Sequence, residues 1–280
     1  MNDLIGKKHM IGDASFVIQH MRSTSSSAMP RAHSHACYEL YCLLEGERVY
    51  LVNGKIFTAQ KGDIVVIVPH ELHSTASSQV KYFERVLIHF APEFLRESDG
   101  NVLNFPPFQQ STLLRTPVKE QPEIERLLVQ MVAECKEENS LYDSYVRHLL
   151  LELLIRLNRL HAVSPEAPGS NHPMHEKVAE IMAYIEAHYR EALTLEQLAK
   201  HFFISPAYLS RVFLKLTGFH ISEYVRVIRI REAQKLLRTT RQKVHAIAEQ
   251  VGFEHISHFN KTFKKFAGVA PIRYRQSHKY

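Results

Sequence analysis

Cysteine is scarce in this 280-residue chain: Cys37, Cys42 and Cys135 make an odd count with no framework spacing. That argues against a small disulfide-stapled scaffold and leads us to expect free thiols in a reducing cytoplasm. Long apolar runs are missing as well. Residues 1–8 lack the apolar stretch of a signal peptide. The most apolar helical segment, Leu149 to Leu160, is broken by Glu152, Arg156 and Arg159, so no membrane span is expected.

Acidic residues are short in one part of the chain and basic ones in the other. From His175 to Tyr280 there are 18 Lys and Arg against 9 Asp and Glu, a net of +9, whereas residues 1–174 carry −3. A basic region is what a phosphate-binding surface requires, because neutralising phosphates releases counterions. Charge alone is equally compatible with a solvated basic face.

The length suffices for two cores. Residues 162–174 hold Pro165, Pro168, Gly169 and Pro173 without an apolar period, which marks a linker. Within residues 1–121, Tyr50 to Phe57 reads as a hairpin with an Asn53-Gly54 turn. Ile64 to Val68 and Tyr82 to Phe90 read as apolar strands, so a small β-barrel or jelly roll is expected. Residues 122–161 turn helical, with one stripe at Ile124, Leu127, Leu128 and Met131. A second stripe joins Leu149, Leu150, Leu153, Leu154 and Leu157. It is longer than a short helix needs, and Leu150, Leu153, Leu154 and Leu157 are candidates for a homodimer interface. Burial against the chain's own barrel is the alternative.

Two stretches of residues 175–280 repeat one pattern. Leu195, Leu198, Ala199 and Phe202 make a short apolar face, followed by Ser205, Leu209, Phe213, Gly218 and Tyr224. Ile247, Ala248, Gly252, Phe253, Phe259, Phe263, Gly268 and Tyr274 follow the same order about fifty residues later. Ser205-Pro206 is a helix start, since Ser caps free N–H groups and Pro suits the first helical position. Helix, tight turn, helix is the layout that lays its second helix in the DNA major groove. Gly252 supplies a positive φ at the second turn; Phe203 stands at the first, which is expected to close in another way.

The strand region holds a separate constellation: His33, His35, Glu39 and, further on, His73. Positions 33, 35 and 39 share parity, so on one strand all three point the same way. Three imidazoles and a carboxylate can hold a divalent transition metal. The same groups suit a metal-free pocket that hydrogen-bonds hydroxyls, with Tyr41 on the same face as an aromatic wall.

His33-x-His35-x3-Glu39-x6-Gly46 followed by Gly62-x10-His73 resembles the paired motifs of the cupin barrel. Two frame positions depart from it: Ser27 replaces a glycine, and Val68-Pro69-His70 stands where a Pro and a Gly are usual. The C-terminal hundred residues resemble the AraC/XylS family of bacterial transcription regulators. The most specific stretch is Ile247-Ala248-x3-Gly252-Phe253-x5-Phe259-x3-Phe263-Lys264-Lys265-x2-Gly268-x2-Pro271-x2-Tyr274-Arg275. The resemblance implies an α+β multidomain chain: a cupin-like effector barrel at 1–121, a dimerising segment at 122–161, a linker at 162–174 and a double helix-turn-helix domain at 175–280.

It also implies which residues face DNA. These are Ser205, Pro206, Ala207, Ser210 and Arg211 in the first unit, and His255, Ile256, Ser257, Asn260 and Lys261 in the second. Arg211 has the fork that reads guanine, Asn260 suits adenine, and Ala207 or Ile256 suits a thymine methyl. Lys264 and Lys265 are expected on phosphate. The implied function is a cytoplasmic, dimeric activator that binds double-stranded DNA, contacts RNA polymerase and responds to a small molecule such as a sugar, with no required cofactor. The effector site is assigned to His33, His35, Glu39, Tyr41 and His73. A metal-dependent cupin enzyme with a basic accessory domain is the alternative, and the duplicated helix pairs count against it.

Overall fold

The computed structural model describes residues 4–24, 33–52, 55–77, 80, 82–163 and 173–277. Two compact units result, the first running to Glu176 and the second comprising most of the chain from Lys177 onward.

The first unit is an antiparallel sheet structure backed by helices. Its strands are β1 (Leu4–Ile5), β2 (His9–Ile11), β3 (Phe16–Ser23), β4 (Tyr38–Val52), β5 (Lys55–Gln60), β6 (Ile64–Ile67), β7 (His73–Ser77), β8 (Phe83–Phe90) and β9 (Thr112–Leu114). A single turn, α1 (Gly12–Ser15), lies between β2 and β3. The long β4 organises the rest. Its first part pairs with β6 and β8, and from Glu47 onward it pairs with β5 and β7. The change of partners falls at a register shift between Leu43 and Glu45, beside Gly46 at φ +89°. A Cβ at position 46 would sit 2.2 Å from the Tyr82 carbonyl oxygen, so only glycine fits. Val52 pairs with Lys55 as a two-residue hairpin requires, while Asn53 and Gly54 themselves lie outside the described residues, as does Ser27.

Alternation along β4 sends Tyr38, Leu40 and Cys42 to one core and Tyr41, Leu43, Tyr50 and Val52 to another. The first core includes α2 (Gln121–Glu137) and α3 (Tyr142–Val163). This corrects the dimer-interface assignment. Leu150, Leu153, Leu154 and Leu157 have no exposed surface within the single chain and pack in the same cluster as Leu40, Val66 and Ile88. The sheet's outer face is apolar, and this leucine stripe covers it. Helix α3 ends at Val163 and α4 (Pro173–His188) begins within the expected linker, whose residues 164–172 are outside the described set.

The second unit is helical: α4, α5 (Leu195–His201), α6 (Pro206–Thr217), α7 (Ile221–Thr239), α8 (Val244–Gln250), α9 (Ile256–Ala267) and α10 (Pro271–Ser277). Pairs α5–α6 and α8–α9 are the two helix-turn-helix units, joined by α7. Thr194 starts α5 with a capping box to Gln197, and Ser205 Oγ accepts the Tyr208 N–H at 3.3 Å to start α6. Phe213, Phe259 and Phe263 are fully buried.

The two turns close in the same way, contrary to the expectation for the first. Gly252 donates its N–H to the Glu249 carbonyl and Phe253 to Ala248; Phe203 donates to Lys200 and Ile204 to Ala199. Phe203 adopts the left-handed backbone (φ +56°) that Gly252 adopts at +92°. Its side chain is 95% exposed, so nothing in the fold blocks a Cβ there and the cost is intrinsic backbone strain. We predict that Phe203→Gly stabilises the protein by about 0.5–1 kcal/mol, the relieved strain exceeding the added chain entropy. Gly252→Ala should destabilise it by about 1–3 kcal/mol, because its Cβ would lie 2.8 Å from the Arg190 carbonyl oxygen. Urea unfolding of both variants checks the asymmetry.

Candidate functional site

The histidine cluster of the first unit forms by a different route from the one parity suggested. His33 and His35 precede β4, which starts at Tyr38, so they do not share the strand of Glu39. Backbone pairing brings them in. His33 and His73 exchange N–H···O=C bonds of 3.0 Å, and the His70 N–H donates to the His35 carbonyl at 2.7 Å. Donor atoms of His33, His35, Glu39 and His73 then lie within 4.8 Å of one another. His89, missed in the sequence, completes the group: it is the register partner of Glu39 across β4–β8 and donates Nε2–H to Glu39 Oε2 at 2.7 Å. The alternation of β8 was the available signal, since 85, 87 and 89 share a face.

Glu39 is fully buried. His35 Nε2 lies 3.1 Å and His73 Nε2 3.5 Å from the same carboxylate oxygen. Burial opposes its charge, yet the imidazoles of His35, His73 and His89 hold the Glu39 carboxyl well below its usual range. Burial likewise opposes the charge on His35, but its hydrogen bonds to Cys37 and Glu39 raise its pKa to about 10.

The outer nitrogens decide what this cluster can bind. His35 Nδ1–H donates to the Cys37 carbonyl at 2.9 Å and His73 Nδ1–H to the Glu71 carbonyl at 3.0 Å. Each ring therefore presents Nε2 to Glu39. With both ring nitrogens protonated, His35 donates Nε2–H to Glu39; a metal would displace that proton and take the nitrogen's lone pair. His73 Nε2 and Glu39 Oε1 are buried without hydrogen-bond partners. A divalent cation would take the Nε2 atoms of deprotonated His35 and His73 together with the carboxylate, and anchored outer nitrogens are what metal-binding histidines require. The residues therefore fit a transition metal held by His33, His35, Glu39 and His73. Tyr41, also buried, lies on the same face of β4, 5.0 Å from the Tyr50 ring and in the fields of Arg85 and Arg48. Both arginines are buried, and no motif in the sequence marks them.

In the second unit, Ser205, Pro206, Ala207 and Arg211 are exposed and Ser210 is half-buried. His255, Ile256, Ser257, Asn260, Lys261, Lys264 and Lys265 are all exposed, along α9 and its N-terminus. The Arg211 guanidinium lies 5.7 Å from the Tyr208 ring centre, and Lys265 Nζ is 3.8 Å from Glu223. A groove of about 600 Å³, also unforeseen, is lined by Arg190, Arg226, Arg229, His255 and His258 among others. Glu249 and Glu254 line it too, so three arginines face two carboxylates beside the start of α9.

Two family models match this chain: an AraC-like ligand binding domain over residues 17–154 and a helix-turn-helix domain over 198–277. Together they take in most of its length. The chain belongs to the AraC/XylS family of transcription regulators. Among relatives of this AraC-family protein is the arabinose operon regulatory protein of Escherichia coli (strain K12), 27% identical over 241 residues. That alignment covers 85% of this chain and 80% of the relative. The transcriptional activator RhaR of Cronobacter sakazakii is 25% identical over 253 residues, covering 87% and 86%. The C-terminal domain of AraT, a response regulator from Geobacillus stearothermophilus, is 34% identical, with coverage of 39% of this chain and 91% of that one and a TM-score of 0.37. The family assigns ligand binding to the first unit and DNA binding to the second.

The Glu39 cluster in this AraC-family domain makes a pH prediction for metal-free protein. The folded pKa of His35, about 10, exceeds its ordinary 6.5. Its contribution to stability is then fully present below pH 6.5 and is lost as pH rises through about 10. Urea unfolding of chelator-treated protein should show that loss between pH 6 and 10, and Glu39→Gln should flatten it.

Proposed function

We propose that this regulator is an activator whose first unit binds a small polyhydroxylated metabolite, of the sugar class, at His33, His35, Glu39, Tyr41 and His73. The observation that carries this reading is the buried Glu39 carboxylate among imidazoles, with hydrogen-bonding capacity left unmet inside the sheet structure. Relatives named for arabinose and melibiose operons support a sugar. The protein senses and does not catalyse; its paired helix-turn-helix units give it a use for ligand binding that needs no turnover. A divalent transition metal in the cluster is compatible with this role, because a bound ion also orients hydroxyl groups. We place the protein in the cytoplasm as a homodimer that works with RNA polymerase. With the leucine stripe buried, a dimer contact on α2 and α3 has Val129, Tyr145 and Ile155 as its exposed apolar candidates. Among the described residues no helix is long and apolar enough to cross a membrane.

Glu39→Ala should abolish effector-dependent transcription while leaving operator binding in place. A normal response in that variant would refute the pocket assignment. Elemental analysis of the same pair tests the ion: stoichiometric metal in the wild type and none in Glu39→Ala assigns the cluster to a metal, and metal-free wild type leaves a pocket that binds hydroxyl groups alone.

We further propose that the exposed residues of α6 and α9 read successive major-groove segments. Operator affinity should fall steeply between low and moderate salt. Arg211→Ala should cost about 1–3 kcal/mol and relax specificity at one base pair in an operator-variant panel. A uniform loss across the panel assigns Arg211 to phosphate instead.

A further inference from the structure

We propose that the effector carries a carboxylate beside its hydroxyls, as a sugar acid does, and that Arg85 receives it. This rests on the reading of the sheet interior as the effector site. Arg85 stands on β8, on the inward face that also carries Leu87 and His89, and is 7% exposed. Its Nη2 donates to Gln19 Oε1 at 3.3 Å and lies 3.8 Å from Met21 Sδ. Both partners are neutral. Nη1 is buried and makes no hydrogen bond, and no described carboxylate forms an ion pair with this guanidinium.

The surroundings sharpen the point. Arg48, 3% exposed, lies 3.6 Å from the centre of the Phe83 ring, and Arg85 lies 5.3 Å from that of Tyr41. Two guanidiniums thus sit buried inside the sheet structure. Glu39 turns its Oε2 to His35, His73 and His89, at 3.1, 3.5 and 2.7 Å, and forms no ion pair with either arginine. Tyr50 Oη is a further buried donor without a partner, 5.0 Å ring to ring from Tyr41.

A buried charge with no counter-charge is costly to a fold unless something binds it. A neutral sugar offers hydroxyls, which leave the positive charge uncompensated. A carboxylate meets the planar fork of an arginine with two hydrogen bonds and the opposite charge together. The Glu39 cluster then remains to read the hydroxyl groups at the other end of the molecule. The arrangement selects a polyhydroxy acid over the corresponding neutral sugar.

The test is thermal unfolding of the full chain, wild type and Arg85→Met, with galacturonate, glucuronate, galactonate and gluconate, each against galactose or glucose. At least one acid should raise the wild-type melting temperature where its neutral counterpart does not. Arg85→Met should melt no lower than wild type without ligand, and should bind that acid roughly 30-fold or more weakly. Arg85→Lys, which keeps charge without the fork, should fall between the two. An acid shift unchanged in Arg85→Met, equal shifts by acid and neutral sugar, or no shift with any acid overturns the proposal. So does an Arg85→Met protein that melts well below wild type, because Arg85 would then be a structural residue. A neutral sugar that stabilises wild type but not Glu39→Gln removes the acid and leaves the effector site standing.

Discussion

The Glu39 carboxylate has no access to water, and a carboxylate in that position must be surrounded by groups that neutralise it. Much of the first unit's sequence pattern follows from that need. His89 stands opposite it on the neighbouring strand. His73 and His33 are locked to each other by paired backbone bonds, and His35 reaches the carboxylate from the segment ahead of β4. The Cys37 and Glu71 carbonyls fix the outer nitrogens of two rings and so fix what their inner nitrogens present. The cluster's capacity for a metal and its capacity for hydroxyl groups have this one origin.

The cluster was legible in the sequence through its residue types and spacing, while its geometry was not. Parity along one strand predicted convergence for a reason that fails, since β4 begins at Tyr38; long-range backbone pairing supplies the convergence instead. His89 and Arg85 escaped because neither belongs to a compact motif. Their positions on the inward face appear only once β8 is set in register against β4. The leucine stripe of α3 shows the same limit. A single sequence reports an apolar face but not what covers it, and here the chain's own sheet does.

In the second unit local pattern was more informative, because a helix-turn-helix is specified by contacts close in sequence. Caps, buried phenylalanines and the order of helices all follow from residues within a few turns of one another. The Phe203 turn departs from that rule. Its backbone matches that of Gly252 although its side chain disfavours it. The same Ala-anchored hydrogen-bond pattern closes both turns, so the turn's geometry sets the conformation and the residue complies. At the second turn the constraint is also steric: Arg229 binds the Tyr189 and Glu191 carbonyls and would lie within about 3.0 Å of a Cβ at position 252. Glycine is dispensable at one copy and required at the other.

The buried groups of the first unit also bear on how such a domain can signal. Nη1 of Arg85, Oη of Tyr50, Oε1 of Glu39 and Nε2 of His73 lack hydrogen-bond partners within the protein, and a buried polar group left so weakens the fold that contains it. A ligand that satisfies several of them stabilises the liganded conformation by more than its own contacts with a preformed apolar pocket would. The differential affinity between two states sets how far a ligand can shift their balance. By linkage, any effect of effector on operator binding must be matched by an equal effect of operator on effector binding. An interior with unmet polar groups lowers the stability of the ligand-free domain. On the reading of this interior as the effector site, the same groups would give the effector a large free-energy difference with which to act on DNA binding.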